Sequence, residues 1–72
     1  MSRNEERFEP VEVEDVTVKK ETEAAILCVI EGQGEFWIPK SQIKDESDVK
    51  EEGDEGTLVI PAWLADEKDI DY

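Results

Sequence analysis

The stretch Pro10-Val11-Glu12-Val13-Glu14-Asp15-Val16-Thr17-Val18, read against the apolar run Ala24-Ala25-Ile26-Leu27-Cys28-Val29-Ile30, decides the fold. Val11 and Val13 alternate with Glu12 and Glu14, and Val16 and Val18 alternate about Thr17, which is the period of a half-buried strand. The phase slips at Glu14-Asp15. One extra residue there, as a bulge or bend, returns all four valines to one face. The run that follows is short and β-branched and ends at Glu31-Gly32, so it predicts a central strand rather than a helix. Between the two, Lys19 to Glu23 (KKETE) is polar enough to turn the chain.

Further along, Gly32-Gln33-Gly34 supplies the positive-φ positions of a hairpin, and Glu35-Phe36-Trp37-Ile38 returns as the next strand until Pro39 removes a donor. A three-stranded meander results. Lys40-Ser41-Gln42-Ile43 predicts one helical turn with Ile43 reaching back to the core. Lys44 to Gly56 (KDESDVKEEGDEG) holds seven acids, two lysines and two glycines, and reads as a long exposed loop. Thr57-Leu58-Val59-Ile60 is a last strand. Pro61 then opens a two-turn helix over 62–68, with Trp63 and Ile70 on one face at seven-residue spacing. The fold class is α+β, mostly β: a small, bent four-stranded antiparallel sheet, or a half-barrel of SH3-like or OB-like type, with a C-terminal helix. Residues 1–9 read as a flexible lead-in, 10–70 as one domain and 71–72 as a tail.

At 72 residues the chain has room for a single hydrophobic cluster. Cys28 is the only cysteine and histidine is absent, so neither an intrachain disulfide nor a zinc-site spacing exists. Extra stability would come from self-association or from docking on a partner. A charge of −13 repels nucleic acid and anionic membranes alike, so neither direct nucleic-acid binding nor membrane binding is expected. No run approaches about 18 apolar residues and the N-terminus is polar, which together with one unpaired thiol predicts a cytoplasmic protein.

The segments Glu35-Phe36-Trp37-Ile38-Pro39-Lys40-Ser41-Gln42-Ile43 and Val59-Ile60-Pro61-Ala62-Trp63-Leu64-Ala65-Asp66-Glu67-Lys68 resemble those of short open reading frames, mostly uncharacterised, of phages and other mobile elements of bacteria and archaea. In these, a W-[IV]-P-K-S-x-[IV] segment is followed by a strand and a W-L-A-x-E-K-G-L ending. The likeness covers the last half to two thirds of the chain and implies a phage-like or accessory-gene setting, with no catalytic residues attached. Asp69-Ile70 stands where that family has Gly-Leu, so a different helix terminus is expected.

Catalytic chemistry is poorly supplied: no histidine, one thiol, and carboxylates in solvated segments, so no enzyme is expected. Ser41-Gln42-Ile43-Lys44 has the S-x-x-K spacing without its companion motifs. Gly32-Gln33-Gly34 lacks the third glycine of a phosphate loop, with Trp37 in its place. Placing Gly53 at the sixth position of a calcium loop puts Lys50 at the third and Val59 at the twelfth, which rules out an EF-hand. No cofactor and no metal site are expected. Cys28, inside the most apolar run, reads as a small buried hydrophobe.

The negative charge is unevenly spread. Residues 24–43 carry only Glu31, Glu35 and Lys40, a net −1, against −13 for the whole. Carboxylates clustered on a strand and a loop can imitate duplex phosphates and occupy a basic groove; the plainer reading is solubility or adaptation to high salt. The candidate partner-binding residues are Glu12, Glu14 and Asp15 with Asp45, Glu46, Asp48, Glu51, Glu52, Asp54 and Glu55. Trp37 joins them as an anchor if it faces away from Phe36 and Ile38, unless the terminal helix covers it with Trp63 nearby. The expected function is binding and inhibition of a basic nucleic-acid-handling protein, such as a CRISPR effector, restriction enzyme or recombination protein, by nucleic-acid mimicry. The alternative is a non-catalytic homo-oligomeric structural or assembly module, such as a homodimer.

Overall fold

The four valines do share one face. In a computed structural model, which describes residues 8–72, strand β1 (Pro10–Glu21) buries Val13, Val16 and Val18 and packs Val11 against the same core. The phase slip is a bulge: Val13 lies opposite Leu58 and Val16 opposite Gly56, so β1 has one more residue than its partner. Asp15 absorbs it at φ 62°, a left-handed conformation that Asp tolerates better than most residues. A second irregularity, between Val18 and Lys20, lies on the other side of the same strand. Each bulge bends β1 and increases its twist.

Around β1 the sheet is entirely antiparallel, in the order β3-β2-β1-β4, with β2 at Ala25–Ile30, β3 at Gly34–Pro39 and β4 at Glu55–Pro61. Three meander strands with a fourth returning beside the first make a Greek key. The sheet is open, with β3 and β4 as its edges. The β2–β3 turn is closed by Gln33 N–H to Ile30 O at 2.9 Å, and Gly32 and Gly34 both take the positive φ their turn demands. KKETE does not turn the chain as a block. β1 runs on to Glu21, and the turn is confined to Thr22–Ala24, where the Thr22 hydroxyl accepts the N–H groups of Ala24 and Ala25.

One face of the sheet carries the core. Ile26, Cys28 and Ile30 of β2, Ile38 of β3 and Leu58 and Ile60 of β4 meet the valines there, and Phe36 packs at the margin. The 3-10 turn Lys40–Gln42 leads to Ile43, which packs against the same cluster. Helix α1 (Ala62–Glu67) contributes Leu64 and Ala65. It is shorter than the predicted two turns, and Ile70 reaches the core from beyond it. Asp69 N–H bonds to Asp66 O and Ile70 N–H to Ala65 O, with Asp69 at φ 58°. This is a Schellman closure with Asp in the position that usually holds glycine. Beyond it, Asp71 exchanges hydrogen bonds with the Gln33 side-chain amide, at 2.7 Å to Oε1 and 3.2 Å from Nε2.

The 44–56 segment corrects the sequence reading. Its last two residues belong to β4, and the rest is fastened down rather than loosely exposed. Val49 is fully buried in the core. Lys44 N–H donates to Val59 O and Asp48 N–H to Thr57 O, so residues 44–48 lie along the outer edge of β4 like a substitute strand. Ser47, also buried, accepts from Val59 N–H at 3.1 Å and donates to Val49 O at 2.9 Å. Gly56 permits this approach: at φ 142°, a Cβ there would meet the Asp48 Cβ at 2.9 Å. The flexible lead-in read for residues 1–9 falls mainly on 1–7, outside the described residues; Glu9 O accepts from Ala62 N–H at 2.9 Å.

Two substitutions test these closures by denaturant unfolding. Ser47→Ala strands the buried Val59 N–H and should cost about 1–3 kcal/mol. Asp69→Gly relieves a left-handed side chain and should add about 0.5–1 kcal/mol, raising Tm by a few degrees.

Candidate functional site

The sheet face opposite the core carries the charge. On β1, Glu12 and Glu14 point away from Val13. Where the bulge loosens the pairing with β4, an open groove of about 750 Å³ forms, lined by Glu14, Asp15 and Thr17 of β1, Glu31 after β2, and Glu55 and Thr57 of β4. Four carboxylates thus meet at one groove, and no lysine or arginine lines it. All four residues are exposed. The arrangement follows from topology: β1 lies between β2 and β4, so a residue added to it opens space between the end of β2 and the start of β4.

Trp37 lies on this same face. Phe36 and Ile38 point inward, and Trp37, 44% exposed, stands opposite Leu27, which is buried between it and Lys20. The terminal helix does not cover it; Trp63 packs against the core instead. Along β2, the row Thr17–Val29–Glu35 follows the row Lys20–Leu27–Trp37 by two residues, roughly 7 Å. Val29 also lines the groove, so Trp37 is one row from it. Lys19 bridges to Glu35 at 3.3 Å across β2 with both side chains half exposed, a contact of little energetic weight.

The remaining candidate residues divide by what they touch. Asp45 and Glu51 line a smaller cleft of about 330 Å³ with Glu21, Lys40, Ile43 and Lys50, where the charges are mixed. Asp48 accepts from Thr57 N–H, and Asp54 accepts from the N–H groups of Lys50 and Glu51 at 2.9 and 3.0 Å, so both serve the loop's own geometry. Glu46 and Glu52 are exposed and belong to neither cleft. Sequence reading missed Glu31, which antiparallel pairing brings to the groove: its N–H donates to Asp15 O at 3.2 Å. Its place just after the apolar run, at the turn, was the available signal.

Hydrogen bonding tunes two carboxyl groups here. Glu21 is held below its ordinary value by the Lys40 ammonium, 2.6 Å away, and then by the Glu52 N–H. Asp54 is lowered by the N–H groups of Lys50 and Glu51. Cys28, with no partner to favour its thiolate, is pushed up to about 12 by burial. Among the described residues, no three or more carboxylate or thiol side chains are grouped so as to hold a metal ion. No helix there is long and apolar enough to cross a membrane.

Compared with known proteins, the chain matches no protein-family model, no curated protein and no solved structure.

The lowered carboxyls make the loop tether acid-sensitive. A depressed folded pKa means the stabilisation is complete above the ordinary values of 4.5 for Glu21 and 3.8 for Asp54, and is lost as pH falls through the folded values. Protection factors of the Lys50, Glu51 and Glu52 amides, taken relative to the intrinsic exchange rate at each pH, should therefore fall below those values while those of Val16 and Ile30 hold. A loss of protection already complete above pH 4.5 would refute the tether.

Proposed function

We propose that this protein binds, and by occupying its groove inhibits, a basic nucleic-acid-handling protein. The observation that carries the reading is the open groove beside the β1 bulge, which Glu14, Asp15, Glu31 and Glu55 line with no cation among the lining residues. Gathering like charges has a cost, and a cationic partner removes it. With a total of −13, the protein's field attracts such a partner from a distance and repels its nucleic acid, so occlusion and steering favour the same encounter. Trp37, one row away and exposed, supplies the apolar anchor that a purely ionic contact lacks. Glu12 extends the anionic row along β1, and Glu46 and Glu52 add to the surrounding field. The W-I-P-K-S-Q-I segment over 37–43 and its resemblance to phage and mobile-element proteins support a setting in which CRISPR effectors, restriction enzymes and recombination proteins are the relevant targets.

The groove can be separated from the loop experimentally. Glu14→Gln, Asp15→Asn, Glu31→Gln and Glu55→Gln together remove its charge, and Asn at 15 keeps a residue that accepts the left-handed conformation. In a titration with nona-arginine followed by amide shifts, this variant should bind at least about tenfold more weakly, whereas Asp45→Asn, Glu46→Gln and Glu52→Gln together should change affinity less. Asp48 and Asp54 are left intact because they hold the backbone. Affinity for wild type should fall steeply with salt. Inhibition of a CRISPR nuclease or restriction enzyme should show the same order among variants. A groove variant that binds and inhibits like wild type would end the proposal.

A further inference from the structure

The two edges of the sheet are finished differently. Residues 44–48 occupy the outer edge of β4, and Val59 and Thr57 spend their backbone groups on them. Among the described residues, no comparable bond reaches the outer edge of β3. Which groups lie open there follows from the ladder. Lys40 N–H donates to Ala24 O at 2.8 Å, so residues of even number, Gly34, Phe36 and Ile38, exchange hydrogen bonds with β2. Glu35, Trp37 and Pro39 therefore aim their backbone outward. Proline stands at the one outward position whose N–H is dispensable, as edge strands prefer.

We propose that a second copy of this chain pairs with this edge, β3 to β3, antiparallel about a two-fold axis at Trp37. A perpendicular two-fold keeps the outer faces aligned, so Trp37 must meet a residue of its own parity. In the register that pairs Trp37 with Trp37 of the second copy, their N–H and C=O groups exchange reciprocally, and each Glu35 N–H meets the Pro39 carbonyl opposite. The missing proline N–H then costs nothing inside the ladder, because only the Glu35 carbonyl goes without a donor and it lies at the strand's exposed end. The two indoles become a cross-strand aromatic pair on the outer face. Charge selects this edge too. Two chains of −13 repel, and residues 24–43 carry only −1, so β3 is where copies approach at least electrostatic cost.

Six residues a side give a small interface, which places the dimer among weak, concentration-dependent associations. Its salt response is opposite in sign to that of binding a basic partner: screening the mutual repulsion strengthens it. This inference does not rest on the proposed inhibitory function, and the two can fail separately.

Sedimentation of the full chain across a dilution series, in about 0.01 M and about 1 M NaCl, where the screening length is roughly 30 and 3 Å, tests it. A species of twice 8.2 kDa should grow with concentration and with salt. Over the same series, the Glu35 and Trp37 amides should gain exchange protection, whereas those of Phe36 and Ile38 are protected throughout. Trp37→Lys should weaken association at least about tenfold with unchanged circular dichroism and Trp63 fluorescence. If that variant loses its fold, the amide series on wild type decides alone. A monomer at high salt and millimolar concentration, an undiminished dimer in Trp37→Lys, or edge protection that appears only when nona-arginine is added would each overturn the proposal.

Discussion

Everything in this fold hangs on β1 being shared. Strand β1 pairs with β4 through Pro10–Thr17 and with β2 through Val16–Glu21, so its two halves tie the meander to β4, and it is twice as long as β2. A strand in that position cannot be shifted in register without turning its valines outward against both neighbours at once. The bulge at Glu14-Asp15 is the device that lets two valine pairs of opposite phase serve one core. Remove the extra residue and either Val11 and Val13 or Val16 and Val18 would face solvent.

The same bulge makes the candidate site. Because the additional residue is on the strand between β2 and β4, the ladder to β4 loosens where β2 ends, and carboxylates from two strands and the turn after β2 fall around the gap. A chain with this charge survives compaction by keeping its acids outside: every Asp and Glu in the strands is exposed, and no buried side-chain nitrogen or oxygen among the described residues goes without a partner. The core contains only uncharged groups, and the Lys40–Glu21 pair at its rim is partly solvated. Electrostatic strain is thereby placed on the surface, where solvent and partners can reduce it.

Period and turn chemistry made the meander, the bulge, the Gly32–Gly34 turn and the 3-10 turn legible, because each depends on residues near one another in sequence. What sequence reading missed depends on distant pairing. Val49 is a lone apolar residue among acids, and only the presence of an open β4 edge explains why it turns inward. Ser47 looks like any loop serine until Val59 N–H needs an acceptor. Glu31 and Asp15 are neighbours only through the β1–β2 ladder. Asp69 carries no glycine to announce a helix end, and only its left-handed backbone, at φ 58°, shows that it closes the helix as a glycine usually would. Trp37 stood between two readings that alternation alone could not separate; the helix's docking on the core face separated them.

Asp15 performs two duties at once, and this narrows what drift can do to the protein. Its backbone conformation admits few side chains, mainly Gly, Asn and Asp, none of them cationic. Substitutions that keep this backbone can therefore dim the groove's field at position 15 but not reverse it, a conformational limit that Glu31 and Glu55, without positive φ, do not share.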